Sequence, residues 1–380
     1  MTPTPVPKDD GALRCGILGA AKIAPPAIIL PARTHPEFII AAVAARGKDK
    51  AEAFAKKHGI AKVYFGPNGY QDMLDDKDID VIYNPLPNGL HYEWTLKALT
   101  AGKHVLLEKP GTDTAAETKV LFNYAESKGL VLLEALHCRF HPALNRVKEI
   151  IDSGELGKLK SMKASLCFPR VMSGPDDDNN IRYQFELGGG IMMGMGCYPL
   201  MIVRTLAGTE PISVLSASAA PFTNGTDEQR RTIDVGTEAV LEFPSDVTAE
   251  IACHSRRPGW GPLGLLPHLP EVKAEVTCEG GKIEFVNFLF PNVYHKIQVA
   301  PTGGEKRDEW AYTFNDGVGE DWWLTYRYQL EAFVDKVKGR QPKTWVTGEE
   351  SIGNMQWIEN IYVATGLGVR PNSTFVLPQD

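Results

Sequence analysis

The chain has 380 residues, 43% hydrophobic and 23% charged, which suffices for two domains with separate cores. A formal net charge of −7 without a lysine/arginine cluster argues against nucleic acid or anionic membrane as the main partner. Residues 1–12 lack the apolar core of a secretory signal, no window approaches about 18 consecutive apolar residues, and the six cysteines form no CxxC pair. A cytoplasmic protein with reduced, mostly buried thiols is expected.

From residue 13 to residue 134 strand and helix patterns alternate. Apolar runs over 13–18, 38–44, 62–65, 80–84, 102–108 and 131–134 read as strands. Helical patterns over 24–30, 48–58, 91–101 and 114–128 lie between them. This βαβ order predicts a parallel, doubly wound sheet. Beyond residue 158 the grammar changes: stretches over 159–168, 237–243, 247–253 and 273–277 alternate as antiparallel strands do. Segments 221–231 and 257–270 read as long loops, and helical patterns return over 323–338 and 349–364. The expected fold is α/β. A dinucleotide-binding domain covers 1–140, and an α+β domain over 141–380 carries a large, mostly antiparallel sheet with helices on one side.

The first strand-turn-helix holds Gly16-Ile17-Leu18-Gly19-Ala20-Ala21-Lys22-Ile23-Ala24, a degenerate G-x-G-x-x-G with alanine at its second and third glycine positions. Gly19 supplies the turn, and small residues let a pyrophosphate approach the helix N-terminus, beside Ala21, Lys22 and Ile23. A plain helix-packing contact would use the same small residues. NAD-binding folds carry Asp or Glu at the end of the second strand; here the run is Val43-Ala44-Ala45-Arg46-Gly47-Lys48. Ala45 is followed by an arginine that suits a 2′-phosphate, with Lys50 in support, so NADP is the expected cofactor.

Glu108-Lys109-Pro110 closes the apolar run 102–107, and strand C-termini are where open α/β sheets bind ligands. Further on come Leu187-Gly188-Gly189-Gly190 and Gly196-Cys197-Tyr198-Pro199. With Asn84-Pro85-Leu86-Pro87-Asn88, His91, Glu134-Ala135, Arg139-Phe140, Gly154-Glu155-Leu156-Gly157 and Glu350-Ser351-Ile352-Gly353-Asn354-Met355, these motifs resemble the Gfo/Idh/MocA oxidoreductases along nearly the whole chain. The resemblance implies a Rossmann domain, a sheet domain through which the chain would form a homodimer, and NADP-dependent hydride transfer to or from a sugar or polyol. It also implies that Lys109 lies beside the nicotinamide and the substrate hydroxyl. The second catalytic position falls to Tyr198, as in the dihydrodiol dehydrogenase and D-xylose dehydrogenase branch. An ammonium beside a phenol lowers its pKa, so such a pair can pass a proton. Pro85, Leu86, Asn88, His91 and Glu108 are expected around the nicotinamide. His137, Arg139, Arg182 and Tyr183 are the candidate substrate contacts.

Two departures bear on substrate. Many relatives have aspartate where this chain has Gly194, and the missing carboxylate would have to come from elsewhere, with Asp176, Asp177 and Asp178 as candidates. His137 stands where that branch commonly has tryptophan, which disfavours an aromatic diol and leaves a sugar or polyol. His137-Cys138-Arg139-Phe140-His141 superficially suggests zinc, but no fourth ligand is placed and no metal is expected. Two alternatives stay open: a trans-dihydrodiol dehydrogenase, and a non-catalytic NADP-binding regulator of sugar metabolism.

Overall fold

The structure is a computed structural model that describes residues 4–172, 180–223, 225–262 and 266–377. The chain forms two compact units, one of Met1–Phe140, Trp323–Ile352 and Asn372–Asp380, the other of His141–Trp322 and Gly353–Pro371. A single cut after residue 140 therefore leaves two C-terminal segments with the wrong core. Helical periodicity locates these segments in sequence but says nothing about which core they pack on.

The first unit is built on six strands: β1 (Leu13–Leu18), β2 (Phe38–Ala45), β3 (Lys62–Phe65), β4 (Val81–Asn84), β5 (His104–Leu107) and β6 (Leu132–Glu134). Their order is β3-β2-β1-β4-β5-β6, and every ladder is parallel. The strand order reverses between β1 and β4, which creates the crevice where such sheets take ligands. The central strands are mostly apolar and almost wholly buried, apart from the first residues of β1 and β5, because helices cover both faces. The expected helix at 24–30 begins as a π turn, Pro25–Ile29, and continues as α1 (Leu30–Arg33). Two adjacent prolines, Pro25 and Pro26, occupy its first turn, where an N–H would have no intrahelical acceptor. Helices α2 (Lys48–His58), α3 (Gly69–Asp75), α4 (His91–Thr100) and α5 (Ala115–Ser127) follow. Thr114 caps α5 by accepting from Glu117 N. The sequence reading omits α3, whose seven residues start on glycine and are too few to establish a period.

The second unit opens with α6 (Pro142–Asp152) and β7 (Leu159–Pro169), then the tyrosine-bearing α7 (Cys197–Ala207). Strand β8 (Ser213–Pro221), helix α8 (Asp227–Thr232), and strands β9 (Asp234–Phe243) and β10 (Val247–Arg257) come next. Strands β11 (Glu271–Cys278), β12 (Gly281–Val286), β13 (Lys296–Pro301) and β14 (Arg307–Glu309) complete an eight-stranded sheet in the order β14-β13-β12-β11-β7-β10-β9-β8. All neighbours are antiparallel except β7 and β10. Strand β8 escapes the sequence reading because its run Ser-Ala-Ser-Ala-Ala lacks the β-branched and aromatic residues that mark strands. The expected loop 221–231 contains α8, held by a capping box between Thr226 and Gln229.

Helix α9 (Thr325–Val337) belongs to the first unit, and α10 (Gly348–Thr365) contributes to both. By length and composition the run Phe185–Ala207 is apolar enough to cross a membrane, but 78% of its apolar window is buried inside the protein. It packs as a core helix, with α7 against β7 and β10.

Candidate active site

In the first unit the expected cofactor residues collect at the C-terminal edge of the parallel sheet. Gly19 follows β1 with φ +82°, a left-handed conformation that suits glycine, and its N–H donates to Ala44 O at 2.7 Å. A Cβ at Gly19 would stand 3.2 Å from Leu86 Cδ2 and 3.8 Å from Tyr70 Oη, so the glycine preserves the space over the turn. Ala21 is half-buried, and Lys22 and Ile23 are exposed at the start of the π turn. Ala45 is buried at the end of β2, Arg46 is exposed just beyond it, and Lys50 lies exposed in the first turn of α2. The Arg46 charge reaches Tyr70, opposing the upward pull of burial on its phenol. A dinucleotide with a 2′-phosphate fits this edge. It has a turn without side-chain obstruction, an exposed guanidinium, and no carboxylate between the end of β2 and Asp49. Sequence reading missed Tyr70 because α3 itself was missed.

Around Lys109 the side chains are closely tied. Tyr83 Oη donates to Glu108 Oε1 at 2.7 Å, inside the core. The other carboxylate oxygen of Glu108 accepts from Lys109 N at 3.4 Å. Burial raises the Glu108 pKa, while the Lys109 ammonium and the Tyr83 hydroxyl pull it back. Lys109 itself is half-buried and precedes a cis bond to Pro110. His91 lies completely buried, with Nδ1 2.9 Å from Pro110 O and Nε2 2.8 Å from Leu86 O. It thus ties the loop after β5 to the loop after β4. Burial lowers its pKa to about 4, so the ring is neutral at pH 7 and its single N–H donates to one of the two carbonyls. Beneath it Asn84 donates to Thr95 Oγ1 at 3.0 Å and accepts from Leu86 N at 3.3 Å, with Pro85 buried and Asn88 half-exposed in the following turn. Glu134 Oε1 accepts from Gly111 N at 2.9 Å, which anchors the chain just past Pro110. Neither Tyr83 nor Glu134 is distinguishable in sequence as a support, since both sit within apolar strand runs.

His137 occupies a different setting from the expected substrate contact. It is 1% exposed, hydrogen-bonded through Nδ1 to Thr325 Oγ1 at 2.8 Å and packed on the Tyr326 ring at 4.1 Å. Burial, and next the Lys109 charge, lower its pKa to about 3. This is a packing position that shapes the wall near Lys109. Arg139 is half-buried, 3.8 Å from Glu350. His137 lies in a 3₁₀ turn and His141 caps α6 by accepting from Ala143 N, so the apparent zinc spacing follows from two local roles. Among the described residues no group of three or more His, Cys, Asp and Glu is arranged to hold a metal.

In the second unit Tyr198 lies in the first turn of α7, 6% exposed, directly after a π segment, Met192–Gly196. Tyr183 is 4% exposed and stacks on Phe222 with ring centroids 4.2 Å apart, a core position rather than an open wall. Arg182 is exposed. Asp176, Asp177 and Asp178 lie outside the described residues.

Residues 13–136 match the model of an oxidoreductase family with an NAD-binding Rossmann fold, and residues 144–284 match the GFO/IDH/MocA C-terminal domain. The chain is 34% identical over 358 residues to a D-xylose 1-dehydrogenase (NADP(+)) of Haloferax volcanii, covering 93% of this chain and 97% of that one. It is 37% identical to a dTDP-3,4-didehydro-2,6-dideoxy-alpha-D-glucose 3-reductase of Streptomyces violaceoruber, covering 67% of this chain and 70% of the relative. A 3-ketoreductase from Actinomadura kijaniata, solved with NADP and TDP-benzene, superimposes with a TM-score of 0.77 at 26% identity, over 93% of this chain and 98% of that one. The chain belongs to the Gfo/Idh/MocA oxidoreductase family.

Proposed function

We propose that this protein is an NADP-dependent oxidoreductase that transfers hydride between the nicotinamide and a hydroxyl or carbonyl carbon of a sugar or polyol. The observation that carries the reading is Lys109 at the end of β5. It is held by Glu108, Tyr83 and His91 on the same sheet edge that presents Gly19 and Arg46. The NADP dependence of the xylose dehydrogenase relative and the NADP bound to the ketoreductase support the cofactor.

When bound, the nicotinamide supplies the hydride acceptor or donor. Gly19 admits the pyrophosphate and Arg46 neutralises the 2′-phosphate. Lys109 donates a hydrogen bond to the reacting oxygen and stabilises negative charge that develops there. Tyr198, as a phenolate favoured by the ammonium, takes the hydroxyl proton on oxidation, and as the phenol it returns the proton on reduction. The buried Glu108 carboxyl, tethered by Tyr83, limits where the lysine backbone can stand.

A sugar or polyol is favoured because a D-xylose dehydrogenase and a dideoxy-glucose 3-reductase are among the relatives. The outer face of the second-unit sheet supports a homodimer. It presents small residues such as Ser216 and Ala252 beside the Lys163–Glu250 ion pair. Six free, buried cysteines support a cytoplasmic setting.

The test is absorbance at 340 nm with NADP⁺ or NADPH across aldoses, polyols, keto-sugars and trans-diols, run alongside Lys109→Met. Turnover on a sugar that Lys109→Met abolishes is the expected result. Cofactor binding with no turnover anywhere in the panel would instead mark a regulator.

A further inference from the structure

The buried carboxylate of Asp234, at the start of β9, is the centre of a polar knot far into the second-unit core. Asp234 has no exposed surface. Its Oδ1 accepts from Ile191 N at 3.0 Å and Tyr362 Oη at 2.9 Å. Its Oδ2 accepts from Met192 N and from Thr237 Oγ1, both at 2.8 Å. Arg370, also buried, approaches Oδ1 at 3.5 Å, donates through Nε to Gly189 O at 2.5 Å, and lies 3.9 Å above the Tyr362 ring. Tyr362 Oη also accepts from Met193 N at 3.4 Å.

The residues gripped here, from 189 to 193, are the entry to the helix that carries Tyr198. Helix entries have N–H groups with no intrahelical acceptor, and Asp234 receives two of them while its charge complements the helix dipole. Gly190 passes the knot at φ +126°, where a Cβ would lie 2.3 Å from Tyr362 Oη and 2.6 Å from Asp234 Oδ1. A second anchor follows the tyrosine's neighbour: Asn354 Nδ2 donates to Cys197 O at 3.2 Å and its Oδ1 accepts from Arg204 at 3.1 Å. The π segment, Met192–Gly196, starts within the first anchor and runs toward the second. A π segment changes the rotational register of everything after it, so the direction in which Tyr198 points depends on both ends being fixed.

Ionic groups are expensive to bury, and an apolar core could hold a helix more cheaply. A carboxylate with several donors instead specifies one placement of the backbone, which an apolar contact does not. We propose that Asp234, braced by Tyr362 and Arg370, is a positioning residue that sets the orientation of Tyr198. The proposal rests on the reading of Tyr198 as the proton-handling group.

Tyr362→Phe tests it with the fold retained, because only one hydroxyl is lost. Oxidation of D-xylose by NADP⁺ is followed in the wild type, Tyr362→Phe, Tyr198→Phe and the double variant. NADPH affinity is read by fluorescence, and amide hydrogen exchange is read over 190–198. Tyr362→Phe is expected to lower kcat about tenfold with NADPH affinity unchanged and exchange at 191–193 accelerated. In the Tyr198→Phe background the same change should cost nothing further, because the knot acts through that phenol. An equal kcat loss in both backgrounds, or exchange at 191–193 unchanged by Tyr362→Phe, overturns the positioning role and leaves the catalytic reading standing. Wild-type kcat in Tyr198→Phe itself overturns that reading, and the positioning role with it. Asp234→Asn, which turns one of the two accepting oxygens into an NH2 facing donors and removes the charge, should reproduce the kcat loss.

Discussion

Tyr83 donates its hydroxyl to the Glu108 carboxylate at 2.7 Å, and neither group reaches solvent freely. This bond lies directly behind the candidate lysine. It satisfies a carboxylate whose pKa burial has raised, and it fixes the residue whose neighbour does the proposed chemistry. Tyr83→Phe should destabilise the protein by about 1–3 kcal/mol, since it leaves a buried acceptor without its donor. It should also raise the Glu108 pKa further, because the lost bond was one of the influences lowering it. Urea denaturation as a function of pH checks both outcomes. A raised carboxyl pKa in the folded state gives stability that is present at low pH and lost as pH rises through the folded value.

Lys109→Met should preserve NADPH binding within a few-fold while lowering turnover by roughly two orders of magnitude or more. The methionine keeps the length of the stem and removes the ammonium. Fluorescence titration and steady-state kinetics on the same preparation separate binding from chemistry.

Arg46→Asp should reverse cofactor preference. The exposed guanidinium at the end of β2 suits a 2′-phosphate, and a carboxylate there would repel it and accept from ribose hydroxyls instead. The KM for NADP⁺ should rise roughly tenfold or more while that for NAD⁺ falls. Tyr70→Phe is expected to move the NADP⁺ value in the same direction by a smaller factor.

Acid should unfold this protein early. His91, His137 and His141 are buried and held neutral, with pKa values lowered to about 4, 3 and 3, in each case mainly by burial. An unfolded histidine titrates near 6.5. The unfolded chain therefore binds protons that the folded chain refuses, so stability is full above about pH 6.5 and falls as pH drops toward the folded values. Calorimetric melting between pH 7 and pH 4 should show a steep fall in Tm, and unfolding near pH 5 should take up more than one proton.

Two glycines on the approach to α7 should respond oppositely to alanine. A Cβ at Gly194 meets nothing within 4 Å, so Gly194→Ala should be neutral or stabilising by about 0.5–1 kcal/mol through the unfolded chain. At Gly190 the Cβ would strike Tyr362, Arg370 and Asp234 at a positive φ, none of which can yield without opening the knot. Gly190→Ala should cost at least about 3 kcal/mol or prevent folding. Thermal melts of the two variants decide the matter.

Much of the candidate cofactor edge was legible in the sequence because several of its residues lie at or just past strand ends. Strand ends announce themselves where an apolar run stops, as at Ala45-Arg46 and Leu107-Glu108. The helices α2, α4 and α5 were equally plain, since ten or more residues establish a period. Short or small-residue elements were not: α3 and β14 span too few residues, and β8 is mostly serine and alanine.

The amino-acid sequence by itself determined the alternation of elements, the parallel sheet, the Gly19 turn, the arginine at β2 and the lysine at β5. These are local matters, governed by side-chain period and by chain-bending residues. Tertiary structure alone decided which groups support them. Tyr83 reaches Glu108 from a neighbouring strand, Thr325 and Tyr326 pack on His137 from almost two hundred residues away, and Arg370 meets Asp234 from well over a hundred. Hydrogen-bond partners so distant leave no pattern along the chain, because a buried donor is specified by the space it fills and not by its neighbours in sequence.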